Sequence, residues 1–378
     1  MKELYIGKKI IACRHKQGVT QDELAQYLGV TKASVSKWET FASYPDITLL
    51  PKIASYFGIT IDALMSYEPN LTKEQVRKIT RYLSQTFQTE SFTQARNTCY
   101  EMTQKYYSCF PLLFQIGNVY FCNITKASNK EEIRLLLEDA ITLFARIQKC
   151  AEDIDLIKQA RSMEAMCLLY LDRAGDVLKL LGEPDLSFTS EEPIFVAAYC
   201  RCGEIEKAKG LLQAGLYMHI VVMMNLLVKS IGMDNHVQQI DETLNKGFAL
   251  IKAFELETLH PAIIFPFYLA AAQRYAKLED MNKTCALLQK YTTLAVSDIY
   301  PLKLQGNAYF DHLDAWIDEN LILGQMLISG GQEVKESIAD AVLKNPVFIQ
   351  WKENDRFRNI FQNRLIYNRV VDKWLIYA

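Results

Sequence analysis

The chain has little charge of either sign in excess. Its 42 Lys and Arg are balanced by 44 Asp and Glu, so it is not a protein coated for nucleic acid along its whole length. Histidine is scarce: His15, His219, His236, His260 and His312 are dispersed, and each reads as a cap or a satisfied core side chain. The nine cysteines, at positions 13, 99, 109, 122, 150, 167, 200, 202 and 285, form no framework. Their odd number and scatter within apolar helical stripes predict reduced, buried thiols in a cytoplasmic protein. Cys200-Arg-Cys202 is the one close pair, with no second Cys/His pair at zinc-ribbon spacing, so no metal site is expected. The phosphate-binding loop, dinucleotide fingerprint, zinc-protease motif and serine nucleophile elbow are all missing, so neither catalysis nor a cofactor is expected. No signal peptide opens the chain. Its most apolar stretch, Leu216 to Gly232, is interrupted by His219, Asn225 and Lys229 and is too short to span a bilayer. It is expected to be a buried helix, with no membrane partner.

What is present is apolar content: half of 378 residues, enough for large cores and two or more domains. The stretch Thr20–Glu39, TQDELAQYLGVTKASVSKWE, reads as two short helices around a tight turn. Thr20 and Glu23 have capping-box spacing. Leu24, Ala25 and Leu28 form one apolar stripe, and Gly29 stands where a left-handed residue must end the helix. Thr31 caps the second helix, whose inward positions are Val35 and Trp38. Lys32, Ala33, Ser36 and Lys37 stay outward, a polar and partly basic face suited to a major groove. Residues 1–67 hold eight Lys/Arg and six Asp/Glu, so this end carries +2 and the remainder −4.

On these residues the region Ile6–Met65 resembles the Cro/XRE (phage-repressor) type of helix-turn-helix domain. Arg14, seven residues before Gln21, matches the helix-1 arginine that in that family pairs with the acidic end of the recognition helix, here Glu39. YPDITLLPKIASYFGITIDALM resembles the fourth and fifth helices, capped by Asp46 and Thr60, with Leu49, Leu50, Ile53, Ala54, Phe57, Ile61, Leu64 and Met65 inward. Helix 1 is expected from about Glu3 to Lys16, with Ile6, Ile10 and Cys13 inward. The resemblance implies that Lys32, Ala33, Ser36 and Lys37 face base edges, with Lys32 and Lys37 placed for guanine. It implies that Gln21, Ser34, Thr40 and Tyr44 hold phosphates.

Tyr67-Glu-Pro-Asn70 lacks an apolar period and marks the expected boundary, giving a DNA-binding domain over 1–67 and a helical domain over 71–378. From Leu71 on there is no strand alternation and no hairpin signal. Apolar helices instead alternate with short breaks, which predicts an all-α solenoid of antiparallel neighbours. The expected helices include Ile154–Ala174, Ile205–Leu212, Leu216–Ile231 and Leu313–Ile328. Leu171–Asp176, Tyr199–Glu204 and Tyr275–Asp280 share a turn that resembles that of tetratricopeptide repeats, with Gly175 matched to Gly203. A last helix carrying Tyr367, Val370, Val371, Trp374 and Leu375 is expected at the end.

A head of net +2 neutralises few phosphates. The expected partner is therefore pseudo-palindromic double-stranded DNA read by a homodimer, with the array as dimeriser. The architecture is also similar to peptide-pheromone receptor regulators of Gram-positive bacteria, in which asparagines clamp a short peptide. That similarity implies Asn118, Asn225 and Asn307 as peptide-binding residues. An array that binds protein partners, or one that serves assembly alone, is the alternative.

Overall fold

Three left-handed glycines punctuate the first part of the chain. Gly18, Gly29 and Gly58 have φ of 69°, 73° and 64°. The amide after each bonds back five residues, as in Val30 N–H to Ala25 O at 3.0 Å, the Schellman closure that satisfies the last carbonyls of a helix. Between these stops lie α1 (Ile6–Gln17), α2 (Gln21–Leu28), α3 (Lys32–Glu39), α4 (Leu50–Phe57) and α5 (Ile61–Met65). Ile6, Ile10, Leu24, Leu28, Val35, Trp38, Ile53, Phe57 and Leu64 form their common core. Cys13, Leu49 and Met65 only pack against its edge. Ile61, expected inside, is 40% exposed, because a five-residue helix turns only one narrow face inward. Gly7 is required for close approach: a Cβ there would lie 2.1 Å from the carbonyl oxygen of Trp38.

The computed structural model describes residues 6–65, 71–183, 191–233, 236–328, 332–349, 351 and 354–361. The chain divides into two compact units, Met1–Thr72 with Tyr106–Cys109, and Lys73–Lys105 with Phe110–Ala378. The expected break at Tyr67–Asn70 and the expected last helix lie outside the described residues.

The second unit is all helical among its described residues, apart from one isolated antiparallel bridge between Lys303 and Met326. Its helices are α6 (Lys73–Thr89), α7 (Phe92–Lys105), α8 (Phe110–Cys122), α9 (Lys130–Cys150), α10 (Ile154–Tyr170), α11 (Ala174–Leu181), α12 (Glu192–Arg201) and α13 (Ile205–Met233). There follow α14 (Val237–Ala253), α15 (Leu256–Leu259), α16 (Ile264–Lys277), α17 (Met281–Ala295), α18 (Leu313–Asn320), α19 (Gln332–Leu343), α20 (Pro346–Ile349) and α21 (Asp355–Phe361). Helices adjacent in sequence pack together, α8 on α9, α9 on α10 and α16 on α17, and α6 also meets α8. This stacking of successive pairs is the tetratricopeptide-like arrangement.

The shared turn lies where expected at Tyr199–Glu204 and Tyr275–Asp280, and only its first occurrence differs in register. Its left-handed residues are Asp172, Gly203 and Glu279, with φ of 57°, 79° and 59°. Each is followed by the same five-residue return bond, from Arg173 to Leu168, Glu204 to Tyr199 and Asp280 to Tyr275. The next helix then starts two residues after the left-handed one. Asp172, not Gly175, is therefore the counterpart of Gly203, and α10 stops at Tyr170 rather than Ala174.

Three further expectations fail. The segments expected as separate helices around Gly215 form the single 29-residue α13. A glycine in a helix interior costs only about 1 kcal/mol, and packing against α12, α14, α16 and α18 outweighs it. Length and composition alone would let this helix cross a bilayer, yet only 28% of its most apolar window is buried, so the expected buried helix is instead half open. α18 stops at Asn320, not Ile328. The Arg77 guanidinium of α6 donates to Ile322 O at 2.7 Å and lies 3.3 Å from Asp318 O, capping the carbonyls that a longer helix would use. The cysteines also depart from expectation. Cys99, Cys109, Cys167 and Cys285 are buried, whereas Cys150, Cys200 and Cys202 are exposed, and all nine are free thiols. Burial pushes the Cys99 and Cys167 thiols up to about 12, which keeps them protonated and inert.

Candidate DNA-reading surface

The capping box that starts α2 is complete. Glu23 N–H donates to Thr20 Oγ1 at 3.2 Å, and the Glu23 carboxylate accepts Thr20 N–H at 2.7 Å. The N–H and the hydroxyl of Thr20, both donating to that carboxylate, hold it below its usual range. Thr31 starts α3 the same way, accepting Ser34 N–H. The orientation of α3 is then fixed at its far end. Arg14 Nε and Nη2 donate to the two Glu39 oxygens at 2.8 and 3.1 Å, while Arg14 Nη1 donates to Val19 O at 2.9 Å. Gln21 Nε2 adds a third bond to Glu39 at 2.7 Å. Glu39 is only 7% exposed. Burial pushes its carboxyl up, but the bonds from Arg14 and Gln21 outweigh burial and hold it below the ordinary carboxylate range. One buried carboxylate thus joins α1, α2 and α3.

With Val35, Trp38 and Glu39 turned inward, α3 exposes Lys32, Ala33 and Lys37 and half-exposes Ser34 and Ser36. Four side chains assigned to DNA have other engagements. Lys32 Nζ pairs with Asp22 at 2.7 Å. The Gln21 amide is turned toward Glu39. The Ser34 hydroxyl lies 2.9 Å from Thr31 Oγ1. The Thr40 hydroxyl donates back to Ser36 O at 2.9 Å, so its proton is already committed. Lys37 makes no ion pair among the described residues, and Tyr44 is 55% exposed. Asp22 is the residue the spacing did not reveal: ten positions separate it from Lys32, and only the turn geometry between α2 and α3 joins them.

Residues 10–64 match the family model described as helix-turn-helix. This segment is a helix-turn-helix domain. Two curated relatives share the same end of the chain. The HTH-type transcriptional activator BcrR of Enterococcus faecalis is 33% identical over 83 residues, 20% of this chain and 41% of BcrR. The SPbeta prophage-derived uncharacterized HTH-type transcriptional regulator YonR of Bacillus subtilis (strain 168) is 30% identical over 59 residues, 16% of this chain and 55% of YonR. The chain therefore spans about half the length of the relatives it matches. Among solved structures, Bacillus thuringiensis PlcR in complex with the peptide PapR7 and DNA aligns at 16% identity over 69% of this chain and 99% of that one, with a TM-score of 0.26. The apo form of ComR from S. thermophilus aligns at 15% identity over 78% and 92%, with a TM-score of 0.22. Scores this low establish no common arrangement, and the functional reading stands on the helix-turn-helix unit.

The three asparagines of the second unit are not joined by any hydrogen bond among the described residues. Asn307 Oδ1 accepts Tyr309 N–H and Phe310 N–H at 3.0 Å each, a local turn that occupies it. Asn225 is exposed on α13. Asn118, on α8, faces Gln115 Oε1 at 3.5 Å, and its own buried Oδ1 has no hydrogen-bond partner among the described residues. A surface groove of about 490 Å³ is lined by Phe248, Ile251, Lys252, Tyr268 and Lys290, among others, and by none of the three asparagines.

Proposed function

We propose that the protein is a sequence-specific transcription regulator that binds double-stranded DNA as a homodimer. The observation that carries this reading is α3 itself, a helix anchored by Val35, Trp38 and the Arg14–Glu39–Gln21 network whose outer face presents Lys37 and Lys32. Such a helix fits the major groove, where a lysine meets guanine O6 and N7 and a methyl such as Ala33 meets thymine. Lys32 exchanges Asp22 for DNA at small cost, since an exposed pair of this kind is worth about 0–1 kcal/mol. Ser36 stands beside the two lysines. Tyr44 serves a phosphate better than Thr40, Ser34 or the Gln21 amide, which have partners. A head of net +2 needs two half-sites to bind at physiological salt, so two heads in one dimer read half-sites about 34 Å or a multiple apart.

The second unit supports a sensing role for a peptide or another small ligand. Its 490 Å³ groove combines an apolar floor at Phe248 and Tyr268 with Lys252 and Lys290, and elsewhere in the unit Asn118 Oδ1 is buried with no partner among the described residues. The deciding experiment for DNA reading is a gel shift with the purified full chain at defined salt, on a candidate operator and on random duplex. Binding that prefers the operator supports the proposal, whereas equal binding or none contradicts it. Thermal shift of the full chain against peptide pools tests the ligand: a stabilising peptide whose effect is lost in Asn118→Ala supports that residue, and no stabilisation by any pool contradicts sensing.

A further inference from the structure

Among the described residues, the outer face of α13 keeps apolar side chains open to solvent. Leu226 is 64% exposed and Val222 54%, and α12, packed beside α13, has no buried residue. Contiguous apolar surface of this kind is uncommon on a protein that works alone. Set among it are polar groups at definite offsets. His219, Asn225 and Lys229 belong to α13. Glu192 belongs to α12 and stands beside Gly215, its side chain 3.9 Å from where a Cβ of residue 215 would be. The Glu192 carboxylate is also 3.9 Å from His219 Nε2.

We infer that this face is an isologous interface between two copies of the chain, with α13 antiparallel to its symmetry mate and the two-fold axis at Val222. The inference rests on the dimeric reading above and supplies its surface. A two-fold axis perpendicular to a helix places residue 222+n against residue 222−n of the other copy. Val222 then meets itself. Leu226 meets Met218, which is 47% exposed. Asn225 meets His219, an amide against an imidazole. Lys229, about 10 Å along the helix from the axis, reaches the level of Gly215, where Glu192 stands. Each interface therefore contains two Lys229–Glu192 pairs. A parallel pairing instead puts Lys229 on Lys229 and His219 on His219. The charge pattern selects a second copy in antiparallel register, and it gives Asn225 a place that its exposure on α13 suits.

Sedimentation velocity of the full chain at defined salt tests the interface. The wild type sediments as a dimer. Leu226→Glu, at an exposed position that leaves the helix content by circular dichroism unchanged, sediments as a monomer. Lys229→Glu and Glu192→Lys each weaken the dimer by at least roughly ten-fold in Kd, because like charges then face each other twice. The double variant Glu192→Lys/Lys229→Glu returns to near wild-type affinity. A Leu226→Glu protein that stays dimeric overturns this surface while leaving the dimer intact. A charge reversal without rescue overturns the antiparallel register. A monomeric wild type overturns the dimeric reading itself.

Discussion

At the scale of single residues, Lys37 and Lys32 differ in what each would give up in the proposed contact with DNA. Lys37 is exposed with no ion pair among the described residues, while Lys32 must leave Asp22. Lys37→Ala is expected to cost roughly 1–3 kcal/mol on the specific site and little on random duplex. Equal losses on both, with a salt slope flatter by about one unit, would make it a phosphate contact instead. Asp22→Asn removes both the competitor for Lys32 and a negative charge beside the DNA, so binding is expected to tighten by up to roughly five-fold, the scale of one exposed ion pair. Titration by fluorescence anisotropy checks both variants. Glu39 acts on stability. Glu39→Gln strands the Arg14 charge and is expected to cost about 3–5 kcal/mol, the scale of breaking a buried pair, read as a lower melting temperature. Because the folded Glu39 carboxyl is held below its ordinary range, its contribution is full above about pH 4.3, the unfolded value. It is lost as pH falls through the folded one. The melting difference between the variant and wild type therefore narrows under acid, and a difference that widens there contradicts the assignment.

At the scale of elements, helix ends decide what the sequence reveals. In the head, Gly18, Gly29 and Gly58 mark the stops in the sequence itself, and the capping residues Thr20 and Thr31 mark the starts. In the array two of the three equivalent turns put Asp172 and Glu279 in the left-handed conformation, where no glycine advertises it. The turn was visible as a pattern and in register at Tyr199–Glu204 and Tyr275–Asp280, but at its first occurrence Gly175 drew the register three residues past Asp172. The end of α18 was invisible for a different reason, since its cap, Arg77, lies about 245 positions away. The core face of α3 was readable from spacing and its bracing pair from the family resemblance, whereas the Lys32–Asp22 contact and the engagement of Gln21 with Glu39 depend on how two helices meet. Two substitutions test these element ends. Glu279→Gly relieves a left-handed non-glycine residue and is expected to stabilise the full chain by about 1 kcal/mol; a lower melting temperature would show that the Glu279 side chain contributes more than its backbone costs. Gly7→Ala forces α1 away from the Trp38 carbonyl and is expected to cost about 1–3 kcal/mol, as overpacking does. An unchanged melting temperature would show that α1 and α3 are less tightly joined than the 2.1 Å approach requires.

At the scale of the whole molecule, a weakly charged helix-turn-helix unit is attached to a helical body several times its size. The body's role in the proposal is to hold two readers together, and a ligand on the body can alter DNA affinity only through its differential affinity for the body's states. That coupling is typically about 1–3 kcal/mol, or 5- to 150-fold. The isolated head, truncated after Tyr67, is expected to fold, to run as a monomer and to bind an operator orders of magnitude more weakly than the full chain. A head that binds as tightly as the full chain would leave the body without a part in DNA binding. The most direct test of the central claim is selection of bound sequences from a pool of random duplexes by the purified full-length protein, at near-physiological salt. One pseudo-palindrome with half-sites one or two helical turns apart is expected to be enriched, and that enrichment to be lost in Lys37→Ala. A pool that emerges without any enriched sequence would contradict the claim.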